Sequence, residues 1–394
     1  MEKLLFLAHR IPYPPNKGDK IRSYHFLKYL AERYQIYLGT FIDDANDWQY
    51  TANVDALCAA SFYQKLNPRN AKIKSLQGLL TGDALSLPYY QNAAMQAWVQ
   101  TTVKTQGIKK ILVFSSVMAQ FVECFADSDL VVDFVDVDSD KWRQYAESKH
   151  GIARWVYARE AKYLLAYEQK IARLAKTSLF VSAQEAELFR QLAQVAGDKI
   201  QHVDNGVDTD YFSPEHNFSS PYQTDERVLV FTGAMDYWAN VDAVVWFAEQ
   251  VFPLLAQRYP QLKFYIVGGK PSKAVQALAA NANITVMGGV VDVRPYIAHA
   301  AVSVAPLRIA RGVQNKVLEA MAMGKAIVAT SAAMEGIAYQ TDLAITVSDS
   351  AVDFAEQLAS LLAKPAVANG NREFVKAHFS WQHNVAKLAA FLQG

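Results

Sequence analysis

Cysteine is almost absent from this chain of 394 residues, which has only Cys58 and Cys124. The two are far apart and lack metal-ligand spacing, which excludes a disulfide framework and a thiolate metal site and predicts two inert, buried thiols in a reducing compartment. Long apolar runs are missing as well. No segment approaches the roughly 20 apolar residues that span a bilayer. The apolar start Leu4–Ala8 is too short for a secretory signal and is cut off at once by His9 and Arg10. The protein is therefore expected in the cytoplasm, free or held peripherally at the inner face of the plasma membrane. Nor is there an excess of one charge. With 39 Lys and Arg against 38 Asp and Glu, the net charge is +1, so nothing global points to nucleic acid, and an electrostatic partner must be met locally. A Gly-x-Gly-x-x-Gly fingerprint is lacking, which counts against a nicotinamide or flavin enzyme. Short-period repeats and low-complexity tracts are absent.

What is present is an alternation of apolar runs with amphipathic stretches. Runs at Leu4–Ala8, Ile36–Phe41, Ile111–Phe114, Leu130–Val135 and Ser178–Val181 read as buried strands separated by helices, the signature of an open parallel sheet. The polar, proline-marked stretch Tyr211–Pro221 reads as a linker. A second series follows at Val228–Thr232, Phe264–Val267, Ile284–Met287, Val302–Ala305 and Ala326–Ala329. The expected fold class is therefore α/β, with two Rossmann-like, doubly wound parallel-sheet domains facing a cleft. Residues 1–205 form the first, with a C-terminal helix at about 376–394 packing back on it; residues 206–375 form the second.

The richest motif runs from Ala310 through Gly312 to Asn315, Lys316, Val317, Leu318 and Glu319, and ends at Gly324 before an apolar strand. It predicts a glycine loop opening onto a helix near Asn315, whose first amides and partial positive charge, beside Lys316, suit a diphosphate. Glu319 is then placed to accept hydrogen bonds from a ribose. The plainer alternative is a surface helix on which Lys316 and Glu319, three residues apart, form an ion pair of about 0.2 to 0.5 kcal/mol. Glycine loops also follow the strands at Gly233, Gly268-Gly269 and Gly288-Gly289, a combination that forms a pocket rim where single tight turns would not. Near the start, Pro12 to Arg22 forms a proline-stiffened loop in which Gly18 permits close backbone approach and Lys17 and Arg22 can face an anion. Asn205-Gly206 marks either a hairpin or a loop at the cleft.

Together these residues resemble the GT-B glycosyltransferases of family 4. Asn205 to Asp208, Gly233 with Asn240, Gly288 to Pro295, and Lys316 to Lys325 follow that family's order and spacing. Pro12 to Arg22, Asp136 to Arg143 and Arg308 to Lys316 resemble its sugar-transferase branch found beside PEP-CTERM/exosortase exopolysaccharide loci. The resemblance implies a retaining enzyme that moves a sugar from a UDP- or GDP-sugar to an acceptor hydroxyl, with no cofactor and no metal. It implies donor binding by Gly18, Gly233, Asn240, Val291, Arg308, Gly312 and Asn315 through Glu319. Arg311 and Lys316 would stabilise the leaving diphosphate. Asp136 lies near the acceptor hydroxyl or serves as a helix cap, and Arg22, Ser116 and Asp138 stand on the acceptor side. The chain departs from the family where Arg311 replaces the Glu that usually meets the donor sugar, and where Asn240 stands near the place of the usual phosphate cations. Two rivals follow: a nucleotide-sugar 2-epimerase on the same fold, and a binding protein without turnover.

Lys141 to Lys176 carries nine Lys or Arg against three Glu, interleaved with Trp142, Tyr145, Trp155, Tyr157, Tyr163 and Tyr167. Either the aromatics face the domain core, or the segment meets an anionic membrane surface that presents a lipid-linked glycan acceptor. Lys65 to Lys74, leading into the amphipathic Leu76–Leu87, adds a second basic stretch.

Overall fold

The computed structural model describes all residues except 16, 17, 126, 148, 195, 225, 311, 338–342, 365–368 and 394. It divides into two compact units, residues 1–204 with 384–394, and residues 205–383. The first is built on seven parallel strands: β1 (Glu2–Ala8), β2 (Tyr34–Ile42), β3 (Ala60–Lys65), β4 (Lys110–Phe114), β5 (Asp129–Val135), β6 (Thr177–Phe180) and β7 (Ile200–His202), ordered 3-2-1-4-5-6-7. The second has six: β8 (Arg227–Thr232), β9 (Leu262–Val267), β10 (Ile284–Gly288), β11 (Val302–Ala305), β12 (Ile327–Ala329) and β13 (Ile345–Val347), ordered 10-9-8-11-12-13. The central strands are sealed on both faces, as in β1, where Leu4 to Ala8 are all 0% exposed. Such strands read as continuous apolar runs because helices cover both sides of a parallel sheet.

In each sheet the chain reverses its direction of travel once, between β1 and β4 and between β8 and β11. Loops leaving the carboxyl ends of those neighbours diverge and leave a crevice, the usual place for a ligand in an open sheet. In the second unit Gly268 supports this opening. A Cβ there would lie 1.6 Å from the Gly233 carbonyl oxygen, so the two loops touch backbone to backbone.

Several expectations are corrected. The Tyr211–Pro221 stretch is not a free linker but is fastened within the second unit: Arg372 donates to the Phe212 carbonyl and the Ser213 hydroxyl, and Arg294 lies over the Tyr211 ring at 3.7 Å. Asn205-Gly206 makes no hairpin; Val207 bridges to Ser380, and a Cβ on Gly206 would stand 2.8 Å from the Trp381 amide nitrogen. The thiols are not both buried. Cys124 is exposed, whereas burial raises the Cys58 thiol to about 12. The aromatics of 141–176 divide between the two readings, Tyr167 being buried and Trp155 59% exposed. No helix among the described residues is long and apolar enough to cross a membrane.

Candidate functional site

The β8–β11 crevice of the second unit gathers the sequence motifs. Beyond β8, Gly233 takes φ +155°, and a Cβ there would meet the Asn240 side-chain nitrogen at 2.8 Å and Lys316 Cε at 3.3 Å. Only glycine leaves that approach open. The helix Trp238–Trp246 then presents Asn240, whose Nδ2 donates to the Ala234 carbonyl at 2.9 Å while Oδ1 accepts from Lys316 Nζ at 2.8 Å. Beyond β11, the loop turns at Gly312, with φ +67°, into the helix Asn315–Ala322. Lys316 lies in its first turn, with Nζ 5.0 Å from the centre of the Phe231 ring, a cation over an aromatic face.

Burial lowers the Lys316 ammonium to about 8, with Glu319 opposing the shift. Burial likewise raises the Glu319 carboxyl to about 7, opposed by Lys316. Lys316 directs its hydrogen bond to Asn240 rather than to Glu319, so the surface ion-pair alternative does not describe this pair. A half-buried ammonium and carboxylate at a helix start are poised for a ligand carrying a negative group and hydroxyls.

Other predicted donor residues fare differently. The amides of Val317 and Leu318 are already used, both donating to the Gln314 carbonyl, because the helix begins at Asn315 with Gln314 as its cap. The first-turn amides ahead of those bonds are those of Asn315 and Lys316, and the Asn315 Oδ1 is buried with no hydrogen-bond partner among the described residues. Arg308 forks onto Asp242, Nε at 3.0 Å and Nη2 closer, so its charge is committed to a neighbouring helix. Val291 is fully exposed beyond β10. Arg311 and Lys17 lie outside the described residues.

The remaining residues belong to the first unit. Gly18 opens the helix Gly18–Ala31, with open space where a Cβ would stand. Arg22 is not presented to an acceptor. It is 1% exposed, its Nε donates to Asp133 at 2.7 Å, and its Nη1 donates to the Val203 carbonyl at 2.6 Å. Ser116 is likewise buried, 1% exposed, behind Ser115, which is in the left-handed region at φ +77°. Val135 also lies in that region, at φ +70°. A β-branched residue rarely takes that conformation, and such backbone clusters at ligand sites. The short turn it starts carries Asp136 and leads into the helix Asp138–Glu147, and Asp136 and Asp138 both accept from Lys141 Nζ, at 2.6 and 3.2 Å.

Sequence reasoning missed Phe231 beneath Lys316, and it missed a cluster at the ends of β1 and β2. There Arg10 binds Asp19 at 2.6 Å and Asp43 at 2.8 Å, and His9 stacks on Phe114 with ring centroids 5.8 Å apart. The juxtaposition of His9 and Arg10 directly after the first strand was the available signal.

Two doubly wound parallel-sheet units, the second with Lys316 and Glu319 at its switch point, define a two-domain, Rossmann-like α/β class of protein. Residues 226–364 match the family model described as glycosyl transferases group 1. No curated protein matches the chain. Among solved structures, a sucrose-phosphate synthase from Thermosynechococcus elongatus is similar, with TM-score 0.70 and 16% identity over 100% of this chain and 98% of that one. Anabaena Alr3699/HepE in complex with UDP has TM-score 0.67 and 17% identity over 99% of each chain. A glycosyltransferase from Rickettsia africae has TM-score 0.67 and 13% identity over 100% of this chain and 98% of that one. The fold is GT-B, the second unit carries a group 1 glycosyl transferase domain, and the chain is an enzyme of the transferase class.

Proposed function

We propose that the protein transfers a sugar from a nucleotide diphosphate sugar to an acceptor hydroxyl, with retention at the anomeric carbon, in the assembly of an exopolysaccharide or other cell-surface glycan. The observation that carries this reading is Lys316, whose ammonium sits between Asn240 and Phe231 at the β8–β11 switch point, one turn from Glu319. Lys316 and the first amides of its helix receive the diphosphate, and Glu319 receives the ribose. Gly233, Gly312 and Val291 shape the donor side, with Arg311 as a second cation. Gly18 joins them on the donor side; Asp136 lies near the acceptor hydroxyl and Asp138 stands on the acceptor side, whereas Ser116 is buried as Arg22 is. A UDP-sugar is favoured over a GDP-sugar because the Anabaena relative has been solved with UDP and with UDP-glucose. The acceptor is a lipid-linked glycan, and the opening loop Pro12 to Arg22 supports the PEP-CTERM-associated branch.

Replacing Glu319 with Ala is expected to weaken UDP binding about 10- to 150-fold, the equivalent of a hydrogen bond to a charged group worth about 1.5 to 3 kcal/mol. Titration calorimetry measures it. Unchanged affinity removes Glu319 from the donor site.

Transfer is expected to continue in the presence of a chelator. The charge that a divalent ion would bring to the diphosphate is brought by Lys316 and helix amides. The Asp136 and Asp138 pair, formally able to hold a metal, already shares the Lys141 ammonium. Activity lost with chelator and restored by Mn²⁺ or Mg²⁺ overturns this and gives those carboxylates a metal.

A further inference from the structure

Five large apolar side chains stand out from the first unit: Leu80 is 91% exposed, Ile152 83%, Ile73 69%, Trp155 59% and Leu76 55%. They come from two segments that the fold brings together. The helix Gly151–Leu174 packs against residues 78–86 through Arg159, which donates to the carbonyls of Gly78 at 2.5 Å and Asp83 at 3.0 Å. The next residue, Glu160, accepts from the amides of Leu85 and Ser86 at 2.5 and 3.0 Å. Ile152, Trp155 and Arg159 are spaced i, i+3, i+7 and so lie on one stripe of that helix, with Ile152 about 10 Å along the axis from Arg159. Leu80 occupies the short turn Gly78–Thr81 that Arg159 holds, and Ile73 and Leu76 lead into it from the helix Pro68–Ser75. The apolar residues are thus displayed by a pinned turn and one helix stripe.

The same two segments are basic. Residues 65–83 carry four Lys or Arg against one Asp, and residues 149–162 carry four against one Glu, in a chain whose net charge is +1. Lys72 and Arg154 are exposed, whereas Arg159 is held by the carbonyls it binds and Lys74 donates to the Gln91 carbonyl at 2.6 Å. A second copy of the chain is a poor occupant of this face, because a two-fold contact would set like charges against one another. We infer that this face docks onto an anionic lipid bilayer, with Leu80, Ile152 and Trp155 entering the headgroup boundary and Lys72 and Arg154 meeting the lipid charge. Apolar burial supplies depth and the basic rim supplies selectivity for anionic lipid. The inference rests on the lipid-linked acceptor proposed above, and vesicle binding is tested separately from nucleotide binding so that either can fail alone.

The experiment is co-sedimentation of the full chain with phosphatidylcholine vesicles and with phosphatidylcholine–phosphatidylglycerol vesicles, at low and high salt. The wild type is expected to favour the anionic vesicles. Lys72→Glu with Arg154→Glu lowers that partitioning roughly ten-fold or more. Leu80→Ser with Ile152→Ser lowers it by a similar factor, roughly ten-fold, and removes the part that persists in high salt. Tryptophan emission moves to the blue on anionic vesicles, a change missing from Trp155→Phe. Both double variants keep the melting temperature and its increase with UDP, since the altered side chains are exposed. Absence of wild-type binding, or binding unaltered in both double variants, overturns the inference. A dimer in sedimentation equilibrium that dissociates in the Leu80→Ser/Ile152→Ser protein, without any vesicle binding, assigns the face to a second copy instead.

Discussion

Replacing Lys316 with Met is expected to lower sugar transfer by about 10²- to 10³-fold, the loss typical when one preorganised group that stabilises a leaving oxyanion is removed. Methionine keeps most of the apolar stem over Phe231 and removes only the ammonium that reaches Asn240. Burial already disfavours that charge, lowering it to about 8, so the variant should melt at the same temperature or slightly higher. UDP affinity should fall about 10- to 150-fold, as for a lost charge-assisted hydrogen bond of about 1.5 to 3 kcal/mol. Lower transfer with intact stability separates a binding role from a structural one. Loss of both activity and fold would make the Lys316–Asn240 bond a structural link between two helices.

The same residue sets a pH dependence whose direction follows from its protonation. Lys316 is cationic below about 8, so nucleotide affinity falls as pH rises through that value. Glu319 titrates near 7 and loses its carboxylate below it, so affinity falls again on the acid side. The coupled pair therefore gives a narrow optimum between the two values, belonging to the pair rather than to either group. Lys316→Met should abolish the alkaline limb and leave the acid limb. Binding above pH 8 should take up a proton, because the diphosphate restores the ammonium, and calorimetry in buffers of different ionisation enthalpy reads that proton directly.

The central strands were legible because a strand covered on both faces must be apolar throughout, as Leu4–Ala8 and Leu130–Val132 are. Three of the four edge strands were not, although the edge strand β10 was. β3 is half-exposed, with the mixed sequence ASFYQK, and β7 and β13 are three residues each, too short to show a period. Gly233, Asn240, Lys316 and Glu319 were legible as local motifs, since a glycine turn and a helix start are local events. What the motif did not convey was how its groups are spent. The amides of Val317 and Leu318 are used inside the helix, and Arg308 is taken by Asp242. Such partners lie far along the chain or depend on where the helix begins, to within one residue. Arg22 was misread for the same reason. The corrective signal was Asp133, a carboxylate inside the apolar run Leu130–Val135, which requires a buried cation.

Replacing Asp133 with Ala is expected to cost the first unit about 3 to 5 kcal/mol, the price of leaving a buried guanidinium without its counter-charge. Asp133 is 0% exposed and takes Arg22 Nε at 2.7 Å and Nη2 at 3.2 Å. Burial raises its carboxyl in spite of Arg22, which means the pair is held in a medium poor at solvating either charge. Against a total stability of about 5 to 15 kcal/mol such a loss is a large fraction. It corresponds to a melting temperature lower by roughly 6 to 20 °C. Arg22→Met should cost less, because a lone buried carboxyl can take up a proton whereas a guanidinium cannot lose one. In that variant the folded carboxyl binds its proton more tightly than the unfolded one, so stability should fall as pH rises above about 4. Arg22→Met with Asp133→Leu should recover much of the loss, an apolar pair replacing a buried ionic one. The Asp133 Oδ1 also accepts the Val135 amide at 3.2 Å, where the chain turns into the left-handed region before Asp136. The double variant therefore restores the core without restoring that bond. Full stability with impaired acceptor-side activity in the double variant identifies Asp133 as a positioning residue for the Asp136–Asp138 turn; recovery of both reduces it to a core ion pair.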